Sequence, residues 1–122
     1  MKKIYHLGTC DKCREIINRL GGLSEFDMHD IKNKPIPEDE LDHLKNLVGS
    51  YEALFSKRAQ LYRDMKLKHD DLKEPDYRKY ILKEYTFLKR PVILVDDQIF
   101  VGNEKYTVEA AIRIIMPLTE EL

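Results

Sequence analysis

This 122-residue chain has no tryptophan and only two cysteines, five glycines and five prolines. Two cysteines cannot make the disulfide framework that small secreted folds depend on. None is needed, because a chain of this length buries roughly 65% of its unfolded surface on folding. The low glycine and proline content excludes collagen-like and low-complexity chains. Long hydrophobic runs are missing too: the longest, Val92 to Val95, is far too short to cross a bilayer. Nor does one sign of charge dominate. With 21 basic and 22 acidic residues the net charge is −1, so no global field points to nucleic acid or to anionic lipid. The opening "MKKIYHLGTC" has two lysines but neither an apolar core nor a small-residue cleavage site, so a cytoplasmic protein is expected. In that reducing compartment a permanent structural disulfide is disfavoured.

Both cysteines lie in one short stretch, "YHLGTCDKCREII", where an apolar strand gives way to a helix. Lys2 to Leu7 reads as a strand, and Gly8-Thr9 permits a tight turn. Cys13, Ile16, Ile17 and Leu20 then recur at helical spacing until Gly21-Gly22. Glu25 to Ile31 alternates Phe26, Met28 and Asp30 against Asp27 and His29, a second strand. After Pro35 and Pro37, the acids Glu38, Asp39 and Glu40 open a helix with the stripe Leu41, Leu44, Leu47 and Val48, closed by Gly49. Ser50 to Leu72 reads as short helical pieces. Locally it is basic, with Lys57, Arg58, Arg63, Lys66 and Lys68 against Asp64. Pro75 opens a further helix with Tyr77, Tyr80, Ile81 and Leu88 among its apolar positions. "PVILVDDQIFVG" gives two short strands joined by Asp96-Asp97, a hairpin. Val108, Ala111, Ile112 and Ile115 form one face of a last helix, halted by Pro117.

No repeat or linker interrupts the chain, so a single domain over 1–122 is expected. The element order is a parallel βαβ start, helices, an antiparallel hairpin and a closing helix. It predicts an α/β protein of thioredoxin-like fold: a four-stranded mixed sheet with flanking helices. A helical insertion, about 37–88, separates strand 2 from the C-terminal β-hairpin.

Cys10 falls at the N-terminus of the first helix, where unpaired amides and the positive dipole end favour a thiolate. A free thiol of pKa about 8.5 is only ~3% ionised at neutral pH, whereas a pKa near 6.5 makes it mostly thiolate. Lys12 and Arg14 flank it and could add to the shift. Cys13 belongs to the apolar stripe and is expected to be sheltered, a thiol placed to resolve a mixed disulfide formed on Cys10. A zinc site needs four ligands, but there is no other cysteine and His6, His29, His43 and His69 are scattered, so no metal is expected. Two small core residues would also satisfy the pattern, though the strand-to-helix junction favours thiol chemistry. His6, four residues before Cys10, either serves the thiol or is an ordinary strand residue. Thr9 shares the loop and is a candidate substrate contact. Arg90 stands directly before Pro91, and in thioredoxin-like folds the corresponding proline is cis and packs beside the cysteines. That placement would bring Arg90 into the same pocket.

The stretches "YHLGTCDKC", "FSKRAQLYRDMKL" and "FLKRPVILVDDQIFVG", in this order and spacing, resemble the ArsC/Spx family over essentially the whole chain. That family comprises glutaredoxin-coupled arsenate reductases, their relatives, and Spx transcription regulators. The resemblance implies a nucleophile at Cys10, a histidine at His6 and an anion-binding arginine at Arg90. Arginine's planar fork suits an oxyanion. Cys13 makes the CxxC of Spx proteins. Where the reductases carry two further arginines this chain has Ser56, with Arg58 nearby, and Gly102.

The resulting expectation is a thiol-dependent oxidoreductase with Cys10 attacking an oxyanion or disulfide, Cys13 resolving, and Arg58, Arg90, His6 and Thr9 contacting substrate. No bound cofactor is expected. Electrons would come from glutathione with glutaredoxin, or from thioredoxin, through a redox partner protein. The alternative implied by the resemblance is a redox-sensing regulator that binds the RNA polymerase α-subunit, with no direct nucleic-acid contact.

Overall fold

The computed structural model describes residues 2–21 and 25–115. The chain divides into two compact units, one formed by residues 1–34 and 90–122 and the other by Pro35–Lys89.

The first unit holds a four-stranded sheet. β1 (Lys2–His6), β2 (Asp27–Asp30), β3 (Val92–Val95) and β4 (Gln98–Val101) lie in the order β2-β1-β3-β4. β1 runs parallel to β2 and antiparallel to β3, and β3 and β4 form a hairpin, so the sheet is mixed as expected. The hairpin closes at the Val95↔Gln98 pair around Asp96-Asp97. Asp96 adopts a left-handed φ of 55°, which aspartate tolerates better than most side chains. α1 (Asp11–Leu20) and α5 (Lys105–Ile115) cover one face of the sheet. Ile4 and Ile93, directly paired across β1 and β3, pack there with Ile16 and Leu20 of α1 and Val108 and Ala111 of α5. Alternation along β1 sends Tyr5 to the opposite face.

The second strand is shorter than the expected Glu25–Ile31, and its burial runs against its hydropathy. Met28 shares the Ile4 face at the sheet edge and is 40% exposed, whereas His29 is buried on the Tyr5 face at 7%. His29 is accommodated because Nε2 donates to the Lys34 carbonyl at 2.6 Å and its ring lies 5.2 Å from that of Tyr5.

In the second unit, α2 (Glu38–Val48) follows Pro37 and ends where Gly49, at φ 109°, returns its N–H to the Lys45 carbonyl at 2.7 Å. Ser50 to Leu72 forms single 3-10 turns at Glu52–Leu54 and Leu67–His69 around a short α3 (Gln60–Asp64). α4 spans Glu74–Lys83, so Leu88, expected on this helix, lies beyond it. Leu88 instead forms an isolated antiparallel bridge with Phe55, reinforced by Ser56 N–H to Phe87 O at 2.7 Å and Lys89 N–H to Leu54 O at 2.8 Å. Phe55 is the centre of this unit's aromatic packing. It stacks on Phe87 at 5.0 Å and meets Tyr77 edge-on at 4.9 Å. Arg78 grips Asp42 through Nε and an Nη at 2.9 and 3.2 Å, Tyr51 donates to the same carboxylate at 2.5 Å, and these bonds hold Asp42 down to about 2.

Phe55 is 1% exposed, so Phe55→Ala leaves a cavity with three aromatic walls. It is expected to lower the unfolding free energy by about 3–5 kcal/mol in equilibrium urea denaturation.

Candidate active site

Cys10 caps α1 from an extended conformation (φ −90°, ψ 116°). Its N–H donates to Leu7 O at 2.9 Å, closing the turn over Gly8-Thr9, and its carbonyl accepts Arg14 N–H at 3.1 Å, starting the helix. Both cysteines are free thiols. Cys10 is half-buried, and Cys13, one turn further along α1, is 0% exposed.

Two opposed effects act on Cys10. Partial burial pushes its thiol up, by keeping water from the thiolate. Against it stand the amide and thiol of Cys13, the amide of Lys12 and the charge of Arg90, which together outweigh burial and hold Cys10 below the ordinary thiol value. The Cys10 side chain makes no cap hydrogen bond of ordinary geometry, so the first-turn amides act mainly as an aimed positive field. Lys12 and Arg14, expected to help through their charges, are occupied elsewhere. Lys12 pairs with Glu15 at 3.8 Å and Arg14 with Asp11. The cation that acts on the thiol is Arg90.

Cys13 shows the reverse balance. Burial pushes it up to about 12, and the amide of Leu7 and the charge of Arg90 offset this only in part. A Cys10 thiolate raises it further, because two adjacent negative sulfurs repel.

Arg90 and Pro91 lead into β3, and the peptide bond between them is cis. Pro91 is buried, as is the Arg90 Nε atom. The carbonyl of Pro91 accepts the N–H of Gly102 at 2.9 Å. Gly102 adopts a φ of 88°, so the backbone at this position disfavours any residue with a side chain. His6 is half-buried at the end of β1, where its carbonyl accepts Ile31 N–H at 2.9 Å, and Thr9 is exposed in the turn. The first unit thus assembles Cys10, Cys13 and Arg90. Arg58 is exposed on the turn between Phe55 and α3 in the other unit. A residue the sequence reading passed over is Asp30, whose carboxylate accepts the Gly8 N–H at 3.3 Å. No local signal marked it, because β2 comes beside the cysteine loop only in the fold. Among the described residues no three His, Cys, Asp or Glu side chains converge as metal ligands, and no helix is long and apolar enough to cross a membrane.

Sheet order and site together define a thioredoxin-like protein with a dithiol at the start of its first helix. The chain belongs to the ArsC family, whose sequence model matches residues 5–111, and thiol-dependent oxidoreduction is that family's chemistry. Solved structures with the same fold include an arsenate reductase from Vibrio cholerae, 20% identical with a TM-score of 0.70, covering 93% of this chain and 96% of its own. An arsenate reductase related protein from Brucella melitensis is 22% identical, TM-score 0.69, covering 89% of this chain and 92% of its own. SACOL0876 from Staphylococcus aureus is 20% identical, TM-score 0.73, covering 90% and 97%. No curated protein matches the sequence.

The buried thiol couples folding to pH. Native Cys13 is pushed up to about 12, while an unfolded-chain thiol loses its proton at about 8.5. The folded state then binds more protons, so stability present below the lower value is lost as pH rises toward the upper one. Between those limits wild type is expected to lose stability faster than Cys13→Ala, by roughly 1 kcal/mol per pH unit, in urea titrations at stepped pH.

Proposed function

We propose that this protein is a thiol-dependent reductase in which the Cys10 thiolate attacks an oxyanion of the arsenate type or a disulfide. The observation that carries this is the asymmetry of the pair. Cys10 is reachable and held below the ordinary thiol value, while Cys13 is buried and kept protonated. At neutral pH only Cys10 competes as nucleophile.

On an oxyanion, the Cys10 sulfur bonds to the central atom and a protonated oxygen leaves as water. Cys13, deprotonated as it reacts, attacks the Cys10 sulfur. The Cys10–Cys13 disulfide forms, and the electron pair of the broken sulfur bond stays on the central atom, reducing it by two electrons. On a disulfide, Cys10 displaces one thiolate and Cys13 displaces the other, giving the same oxidised pair. Once Cys10 is in an adduct it carries no thiolate charge, so one cause of the high Cys13 value disappears and resolution follows attack. Arg90 stabilises the Cys10 thiolate and offers a fork for the oxyanion. His6 and Thr9 are the further substrate contacts, and Arg58 is a candidate that substitution tests. An external thiol, supplied by glutathione with glutaredoxin or by thioredoxin, would return the disulfide to the dithiol.

The first test is the pH dependence of Cys10 alkylation in the Cys13→Ser background, with and without arsenate. A midpoint below that of a free thiol and protection by arsenate are expected. Arg90→Ala is expected to lose most of that protection with little change in thermal unfolding, and Arg58→Ala reads its own share in the same assay. An acidic Cys10 that arsenate leaves unprotected would exclude the oxyanion and leave disulfide exchange. With a disulfide reagent, Cys13→Ser is expected to trap a mixed disulfide and Cys10→Ser to be inert. Equal inertness of both variants would exclude the division of roles. Binding to the RNA polymerase α-subunit only when the pair is oxidised would favour a regulator instead.

A further inference from the structure

The turn that delivers Cys10 to α1 is held from outside by one carboxylate. Asp30 is the last residue of β2 and pairs in parallel register with His6, which sets it beside the Leu7–Cys10 turn. The Ile31 N–H to His6 O bond at 2.9 Å and the Lys34 N–H to Asp30 O bond at 3.0 Å fix its backbone. Its side chain accepts the Gly8 N–H at 3.3 Å on Oδ2, the Lys32 N–H at 3.0 Å on Oδ1, and the Asn33 amide at 3.5 Å on Oδ2.

The missing side chain at Gly8 leaves room for this contact. Gly8 does not adopt the left-handed φ seen at Gly21, Gly49 and Gly102, so no dihedral demands a glycine there. A Cβ at Gly8 would stand 2.7 Å from Asp30 Oδ2, so with any side chain here the carboxylate has to move aside. The carboxylate and the missing side chain are therefore two halves of one device, and Gly8 lies inside the turn closed by Cys10 N–H to Leu7 O at 2.9 Å.

We infer that Asp30 is a positioning residue for Cys10: by gripping the Gly8 amide it fixes the turn that aims the thiol at the first-turn amides of α1. This rests on the reading of Cys10 as the activated nucleophile. Any effect of the Asp30 charge on the thiol would work against this, since a nearby carboxylate disfavours a thiolate. What Asp30 contributes is geometric, and that makes it separable. Cys13 and Arg90 are the ionisable groups that act on the thiol; Cys13 is Ser in every protein compared, the parent included, and Arg90 is unaltered, so neither differs between parent and variant.

The experiment is the pH profile of iodoacetamide alkylation of Cys10, in the Cys13→Ser background, for Asp30→Ala, Asp30→Asn, Gly8→Ala and the double variant Gly8→Ala/Asp30→Ala. Thermal unfolding of each variant establishes that it is folded. Asp30→Ala is expected to shift the midpoint upward by roughly half a pH unit and, at pH values below the midpoint, to slow alkylation about threefold, the corresponding change in thiolate fraction. Asp30→Asn keeps an oxygen for the Gly8 N–H and is expected to leave the midpoint at or slightly below the parent's. Gly8→Ala should reproduce Asp30→Ala by displacing the carboxylate. Combined with Asp30→Ala it should add nothing, because the clash is already gone. If Asp30→Ala fails to fold, Gly8→Ala carries the same comparison.

A depressed parent midpoint that Asp30→Ala and Gly8→Ala leave in place would overturn the inference alone. So would a fall in the midpoint shared by Asp30→Ala and Asp30→Asn, which would make Asp30 merely a nearby charge. Full additivity in the double variant would overturn it too. A parent midpoint at the free-thiol value would instead overturn the nucleophile reading itself.

Discussion

The contest at Cys10 between burial and the open amides of one helix end is the constraint on which the site depends. A thiol at the end of an apolar strand is drawn out of water, and that alone would make it less acidic. It is held below the ordinary thiol value because the chain turns within Gly8-Thr9 and starts α1 at Asp11, which directs the amides of Lys12 and Cys13 to the sulfur. One residue of slip in that turn would exchange a capping position for an ordinary helical one, where the amides point away.

The remaining parts of the first unit follow from holding that turn in place. β1 brings the chain to it, and α1 is anchored by Ile16 and Leu20 against Ile4 and Ile93. Asp30 braces it from the neighbouring strand. The segment before β3 contributes Arg90, whose charge favours the thiolate of both cysteines. Burial then separates the pair, since the same helix that presents Cys10 at its tip buries Cys13 on its apolar stripe. Two chemically identical groups thus have their acidities moved in opposite directions by their environments. Gly102 marks where this chain differs from the arginine pattern of the reductases it resembles. Its left-handed backbone makes a glycine the natural occupant.

The second unit is stabilised differently. Short helical pieces of three to five residues cannot hold themselves together by backbone bonding, because helix nucleation is costly and each piece ends soon after it starts. Phe55, Phe87, Tyr77 and Tyr62 supply shared apolar contact. Polar side chains tie up the loose ends: Glu74 accepts the N–H groups of Tyr51 and Glu52 at 2.7 and 3.1 Å, and Asp42 joins Tyr51 to Arg78.

Local chemistry in the sequence was enough to determine the strands around Ile4 and Ile93, the helices starting at Asp11 and Glu38, the Asp96-Asp97 hairpin, and with them the mixed sheet. Periodicity, turn residues and helix stops act over a few positions and can be read there. The CxxC at a strand-to-helix junction was legible for the same reason. What the sequence could not show depended on neighbours distant in the chain. His29 is buried and Met28 exposed because β2 is an edge strand next to Tyr5, against the order their hydropathy suggests. Leu88 left its helical pattern because Phe55 offers a bridge. Arg90 was chosen over Lys12 and Arg14 as the cation at the thiol because Glu15 and Asp11 occupy those two. Asp30 was silent until β2 lay beside β1. Hydropathy and spacing are properties of a segment, whereas burial, charge pairing and the aim of a thiol are settled only when segments far apart in sequence share one place.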